Sequence, residues 1–325
     1  MKVIIPAAGV GSRLRPYTYT LPKTLLPIAG KPILEYIIQQ VIEWGATSLT
    51  IIHGHLGDEI KKYVKGRFDL EIDFRLQEPQ LGLGHAIHTG IDPGDEDVLV
   101  ILGDTILDTD MVPAMKRGVN AIGVKEVDDP RKFGVVEVEG NKVIRLVEKP
   151  KEPPSNLAIV GVYYIRDAVK LKSAIKETMQ KSITVKGEYQ ITDALQLLID
   201  WGEVIETVPI TGWSDCGNPE TLLETNRYIL KRDGGGMEGV EVKQSVIIPP
   251  VFIGEGAVID RSIIGPYVSI GKNCKISETI IQNSMIGGKS IVQRAMISKT
   301  LIGYRAEVIG RLHQVNLGSS SWLKL

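Results

Sequence analysis

Apolar positions over the first two thirds of the chain alternate between two spacings. Val3-Ile4-Ile5, the run from Leu49 to Ile52 and Val98-Leu99-Val100-Ile101-Leu102 are short and unbroken, as strands buried on both faces of a parallel sheet are. Between them Ile33, Leu34, Ile37, Ile38, Val41 and Ile42 recur on one helical face, with Pro32 suited to the first turn and Gly45 as a stop. Leu56 to Val64 reads as a second helix and Leu70 to Leu76 as an alternating strand. Further on, Phe133 to Glu137 and Val143 to Val147 read as a hairpin turning at Glu139-Gly140-Asn141. The alternation predicts an α/β domain: a twisted, mainly parallel sheet with helices on both faces and ligands collecting at the carboxyl ends of its strands.

After Tyr228 the pattern changes. Lys231-Arg232-Asp233-Gly234-Gly235-Gly236 reads as a flexible linker. Beyond it Ile253-Gly254, Ile270-Gly271, Ile286-Gly287 and Ile302-Gly303 recur every 16 or 17 residues, with Ile259, Ile264, Ile276, Ile281, Ile291, Ile297 and Val308 keeping a five-to-six-residue beat between them. One aliphatic residue per third of a coil, with glycine at the corners, is what a triangular parallel β-helix requires. The predicted organisation is a catalytic-type α/β domain over 1–230, a linker over 231–239 and a β-helix over 240–325.

Composition narrows the setting. A length of 325 residues allows two domains, and a net charge of -1 gives no general attraction to nucleic acid or to an acidic membrane. Cys216 and Cys274 form neither a disulfide framework nor a zinc pattern, which fits a reducing compartment. With no signal segment at the start and no run of about 18 apolar residues, the expected location is the cytoplasm.

The chemistry centres on Gly9-Val10-Gly11-Ser12-Arg13-Leu14-Arg15-Pro16, running on to Pro22-Lys23 and following a buried strand. Glycines let backbone N–H groups approach phosphate oxygens, and Arg13, Arg15 and Lys23 add positive charge, so a triphosphate suits the loop better than a neutral ligand. Leu14 occupies the place of the third glycine of a dinucleotide fingerprint, and no Gly-Lys-Ser/Thr follows for a P-loop. Gln77 and Gly82 stand after one strand: the amide can pair with the edge of a pyrimidine ring that glycine allows close, or it can simply face water. Gly103-Asp104 ends a buried strand, where a carboxylate calls for a cation such as Mg²⁺, or caps the next segment. Glu148-Lys149-Pro150 offers an acceptor for sugar hydroxyls beside a cation for a sugar phosphate, or a solvated turn. Thr192 reads as the cap of a helix with Asp193 in its first turn. His85 and His88 read as solvated or packed rather than metal-binding, and Cys216 as packing.

Pro6-Ala7-Ala8-Gly9-Val10-Gly11-Ser12-Arg13-Leu14-Arg15-Pro16 with Pro22-Lys23 resembles the signature of the sugar-1-phosphate nucleotidyltransferases. The resemblance implies a Rossmann-like nucleotide-diphospho-sugar transferase domain followed by a left-handed hexapeptide-repeat β-helix. It implies that Ala8, Gly9, Gly11, Ser12, Arg13 and Gly103 hold the nucleotide, that Arg13 and Lys23 stabilise departing pyrophosphate, and that Gln77 and Gly82 read the base. It implies further that Asp104 and Asp215 bind Mg²⁺ and that Lys149 meets the sugar phosphate. Gly134, Glu148, Asn156, Gly161, Tyr163 and Trp213 would line the sugar pocket, with Glu188 steadying it from behind.

The expected reaction joins a nucleoside triphosphate, dTTP or UTP, to a sugar 1-phosphate, glucose 1-phosphate first, by in-line attack that releases pyrophosphate. A homo-oligomer through the β-helix is expected, without nucleic acid or membrane as partners. GTP or CTP with mannose or an amino sugar, a bifunctional nucleotidyltransferase and acetyltransferase, and a non-catalytic regulatory relative stand as alternatives. Only His313 in the repeat domain offers a general base for acetyl transfer.

Overall fold

The computed structural model describes residues 1–310, so His313 lies outside the described residues. It divides into two compact units, one of Met1–Pro27 with Lys31–Leu222 and one of Ile28–Gly30 with the chain from Leu223 onward.

The first unit is built on a nine-stranded sheet: β1 (Lys2–Ala7), β2 (Ser48–His53), β3 (Glu71–Leu76), β4 (Val98–Ile101), β5 (Asn120–Glu126), β6 (Gly134–Glu139), β7 (Lys142–Glu148), β8 (Leu157–Ile165) and β9 (Ile205–Pro209). Their order is β3-β2-β1-β4-β8-β5-β9-β7-β6. The half that carries the glycine loop, β3-β2-β1-β4, is parallel throughout. Beyond it β8 runs antiparallel to both β4 and β5, β9 is parallel to β5, and the β6–β7 hairpin closes the sheet. Val3, Ile4, Ile5 and Val98 to Ile101 are wholly buried, which accounts for their unbroken apolar sequence.

Helix α1 (Ile33–Glu43) buries Ile33, Leu34, Ile37, Ile38 and Val41, whereas Ile42, expected on the same face, is exposed. Pro32 stands just before the helix rather than inside its first turn. Helices α2 (Gly57–Val64), α3 (Leu83–Gly90), α4 (Val112–Arg117), α5 (Ala168–Gln180) and α6 (Ile191–Asp200) complete the unit. α3, α5 and α6 share one apolar core with the sheet, through Ile87, Leu171, Ile175, Leu195 and Leu198 against Ile4, Val100, Ile122 and Tyr163.

Helix α7 (Pro219–Asp233), which belongs to the second unit from Leu223 on, leads into three stacks of short parallel strands, a hexapeptide-repeat β-helix. Val251–Ile253, Val268–Ile270 and Met285–Ile286 follow one another on one face, Val258–Asp260, Lys275–Ser277 and Ile291–Gln293 on the second, and Ile263–Ile264, Ile280–Gln282 and Met296–Ser298 on the third. Ile253, Ile259, Ile264, Ile270, Ile276, Ile281 and Val292 form the dry interior.

Two expectations change here. Lys231 to Asp233, read as the start of a flexible linker, complete α7, and Gly235–Gly236 pair with Val251 and Phe252, so ladder hydrogen bonds take up their backbone. The left-handed corner residues are mainly not glycine: Gln244, Arg261, Glu278 and Arg294 take positive φ at successive corners. The repeat glycines are needed because coils touch. A Cβ on Gly271 would lie 2.5 Å from Gly288 N, and one on Gly254 2.7 Å from Lys272 N.

Candidate active site

The carboxyl end of β1 releases the chain into the glycine loop, where Gly11 takes φ +62 before a short turn at Ser12–Leu14. Leu14 is buried and anchors the turn, while Gly9, Ser12 and Arg13 are exposed. Thr18 donates to Gly11 O at 2.8 Å and Gln80 to Ala8 O at 2.7 Å, so the loop's shape is held by two side chains outside it. Of the three cations expected beside the loop, Arg15 instead stacks over Tyr19, 5.2 Å from its ring centre. A cleft of about 360 Å³ opens beside Ala8 and Gly9, walled by Lys23, Thr24, Gln77, Gln80, Gly82, Gly103, Asp104 and Glu188.

One end of the cleft is charged. Lys23 forms an ion pair with Asp104 just beyond β4. Gly103 precedes Asp104 because a Cβ there would lie 2.8 Å from Pro6 O, the carbonyl that accepts Gly103 N–H. A short antiparallel ribbon, Thr105–Asp108 against Gly212–Asp215, brings the second carboxylate alongside, with Asp215 opposite Thr105 and Cys216 N donating to Asp104 O at 3.0 Å. Burial, then the negative charge of Asp104, push the Asp215 carboxyl up from its ordinary value, while Lys23 and Arg13 pull it down. A carboxylate raised by burial and by a second carboxylate beside it suits a hard divalent cation completed by phosphate oxygens, the usual way Mg²⁺ is held. Among the described residues no group of three or more acidic, histidine or cysteine side chains forms a self-sufficient metal cage.

The other end is built from an amide and a glycine, with Glu188 packed against the glycine. Gln77 follows β3, is 5% exposed, and donates through Nε2 to Gly82 O at 2.9 Å. Gly82 takes φ +103, and a Cβ on it would strike Tyr189 O at 2.7 Å. Gly84 N donates to that same carbonyl, and Tyr189 N donates to Leu81 O, both at 2.8 Å. The Glu188-Tyr189-Gln190 segment is therefore strapped along the loop that follows Gln77.

A second cluster gathers at the start of the β6–β7 hairpin. Glu148 Oε1 pairs with Lys149 Nζ at 2.7 Å, and its Oε2 accepts from Thr192 Oγ1 at 2.7 Å. Gly134 leaves room for both, since its Cβ would lie 3.0 Å from Glu148 Oε2 and from Thr192 Oγ1. Thr192 is thus not a helix cap: α6 begins at Ile191 after Gln190, and the hydroxyl is spent on Glu148. Asp193 is raised by burial and by the charge of Glu148, and its Oδ2 is buried without a partner. Phe133 meets Trp213 edge-on with ring centres 4.9 Å apart, and Trp213 Nε1 is likewise buried and unpartnered.

Three further residues expected at the sugar pocket lie on or beside β8. Gly161 lies in β8 with φ +82 and gives way to Leu102, whose Cδ1 would be 2.6 Å from a Cβ there. Tyr163 is buried in the same strand, its hydroxyl pushed up by burial and by Glu148. Asn156 is exposed, and its backbone carbonyl accepts from Val127 N. Thr24, Gln80 and the link from Thr192 to Glu148 had no sequence signal, because each depends on chain segments brought together only by the sheet.

A cleft at the carboxyl ends of the parallel strands of a Rossmann-like sheet, with Lys23 and Asp104 in its wall, is placed where this class of fold holds a nucleotide. Residues 2–232 match the family described as Nucleotidyl transferase and residues 232–284 the one described as GlmU-like, C-terminal hexapeptide. The chain belongs to the nucleotidyl transferase family, in its sugar-1-phosphate branch.

It is 40% identical over 243 residues to a low-salt glycan biosynthesis nucleotidyltransferase, Agl11, of Haloferax volcanii, a match covering 71% of this chain and 66% of that protein. It is 36% identical over 271 residues to a glucose-1-phosphate thymidylyltransferase of Streptomyces antibioticus, covering 79% and 74%. The fold is similar to that of a UDP-glucose pyrophosphorylase solved with UDP-glucose, with TM-score 0.63, 28% identity and coverage of 71% and 98%. The chain thus spans about two thirds of the Haloferax relative's length.

Proposed function

We propose that the protein transfers a nucleotidyl group from a pyrimidine nucleoside triphosphate, dTTP or UTP, to glucose 1-phosphate, giving a nucleotide sugar and pyrophosphate. The observation that carries this reading is the pairing of two groups in one cleft, Lys23 with Asp104 and, near enough to feel their charge, Asp215, and apart from them Gln77 with Gly82. The relatives' names support the reaction and include both thymidylyl and UDP-glucose enzymes.

In this reading an oxygen of the sugar phosphate attacks the α-phosphorus and pyrophosphate leaves from the opposite side, with no covalent enzyme intermediate. The nucleophile is already anionic, so the protein's task is to gather two polyanions. Lys149 neutralises the attacking phosphate, Arg13 and Lys23 the leaving group, and Glu148, held by Thr192, accepts sugar hydroxyls. Asp104 and Asp215 would hold Mg²⁺, which would offset phosphate charge as transfer proceeds. Pyrophosphate release measured for several triphosphates against several sugar 1-phosphates tests the assignment. Turnover is expected only when both substrates are present, highest with a uracil or thymine nucleotide, and absence of pyrophosphate from every pair would remove the reading.

Assembly through the β-helix is supported by an uncharged outer ladder, Val246, Ile263, Ile280 and Met296, stacked in register and 56%, 38%, 40% and 83% exposed.

A further inference from the structure

Gln77 makes two contacts through one atom. Its Nε2 lies 2.9 Å from Gly82 O and 3.1 Å from Nδ1 of His85, one turn into α3. A carbonyl oxygen can only accept, so the Gln77 atom facing Gly82 is the amide nitrogen, and the orientation of the group follows from chemistry. That nitrogen carries two hydrogens. Gly82 takes one, and the second points at His85, whose Nδ1 must then be the unprotonated, accepting nitrogen of a neutral ring. Burial holds the His85 ring below its ordinary value, which favours the neutral form. With both N–H groups engaged, what Gln77 has left is Oε1, which takes no donor among the described residues.

We propose that His85 is the positioning residue for base selection: it locks the Gln77 amide so that only a carbonyl acceptor faces the base, and the site takes bases that present a ring N–H. This rests on the reading of Gln77 as the base-facing residue. Uracil and thymine carry such an N–H at N3. Cytosine presents a lone pair at that position, so the locked oxygen would face another acceptor with no hydrogen between them. A site that leaves a buried polar group unpaired in this way discriminates far more strongly than one that senses a methyl group. The selection is therefore between classes of base rather than between uracil and thymine.

The test compares kcat and KM for UTP, CTP and 3-methyluridine 5′-triphosphate at fixed glucose 1-phosphate. The wild-type protein is expected to favour UTP over both others by about a hundredfold or more, since each lacks the ring N–H. Phe at position 85 removes the acceptor and frees one Gln77 N–H, so His85→Phe should shrink the UTP to CTP preference at least tenfold, with the change in KM rather than kcat. Asn places Oδ1 near the lost Nδ1, so His85→Asn should restore most of the preference. Wild-type use of CTP or the methylated nucleotide within about threefold of UTP would overturn the inference while leaving nucleotidyl transfer intact. So would a preference unchanged in His85→Phe. If His85→Phe does not fold, His85→Leu, which likewise has no acceptor at that position, takes its place in the comparison with His85→Asn. Absence of turnover with every triphosphate would overturn the wider reading along with this one.

Discussion

Thr192 donates its hydroxyl to the Glu148 carboxylate across 2.7 Å, joining residues 44 positions apart and leaving the other carboxylate oxygen to Lys149. Without that donor, Glu148 is free to turn toward Lys149 alone. Replacing Thr192 by Val keeps shape and volume but removes the hydrogen bond, a loss of about 1–2 kcal/mol. Thr192→Val is expected to raise KM for the sugar 1-phosphate about tenfold and to leave KM for the triphosphate within about twofold, as steady-state kinetics with each substrate varied would show.

Lys2 and Arg75 both hold Asp92, at 2.7 and 2.6 Å, tying the amino end of β1 to β3. The Arg75 hydrogen bond foremost, then Lys2, keep the Asp92 carboxyl at about 2, below its ordinary 3.8. A lowered carboxylate stabilises the fold fully above its unfolded value and loses that contribution as pH falls through the folded one. Asp92→Asn should lower the urea midpoint at neutral pH. The gap to wild type should be constant above about pH 5 and close between about pH 4 and pH 2. A gap independent of pH would mean that Asp92 acts through packing alone.

Gly271 has no room for a side chain, because the next coil's backbone fills the space where a Cβ would stand. Gly271→Ala must push the coils apart, at about 1–3 kcal/mol. The thermal transition of the β-helix should move down, with pyrophosphate release at low temperature largely retained. Hydrogen exchange in the strands Val268–Ile270 and Met285–Ile286 should report the loosening.

The third face of the β-helix exposes Ile263 and Ile280 in register. Lysine at both positions would place two charges on the ladder and should reduce the molecular mass measured by light scattering to that of one chain. A wild-type protein already of that mass would contradict the assembly reading.

Much of this was legible in sequence. The buried runs around Ile4 and Val100 and the helical face of Ile37 and Val41 announced themselves through periodicity, because strands buried on both faces and helices buried on one leave different spacings. The cluster of Gly9, Gly11, Arg13 and Lys23 was readable because it is local. The pairs Gln80 with Ala8, His85 with Gln77 and Thr192 with Glu148 were not, since a side-chain hydrogen bond between a loop or helix and its neighbour leaves no periodic trace. The repeat glycines were placed correctly but for the wrong reason. Their need arises from the coil stacked above, which single-sequence spacing does not contain. The apparent linker misled because lysine and arginine continue a helix as readily as they fill a loop.

Lys23, paired with Asp104 at the charged end of the cleft, gives the most direct test of the central claim. Single-turnover release of pyrophosphate from UTP or dTTP with glucose 1-phosphate should be about a hundredfold slower in Lys23→Ala, the loss of about 3 kcal/mol expected when a fixed cation is removed from a desolvated phosphate site, while the far-ultraviolet spectrum and melting transition stay those of the wild type. A variant that keeps this fold and releases pyrophosphate at the wild-type rate would contradict the account.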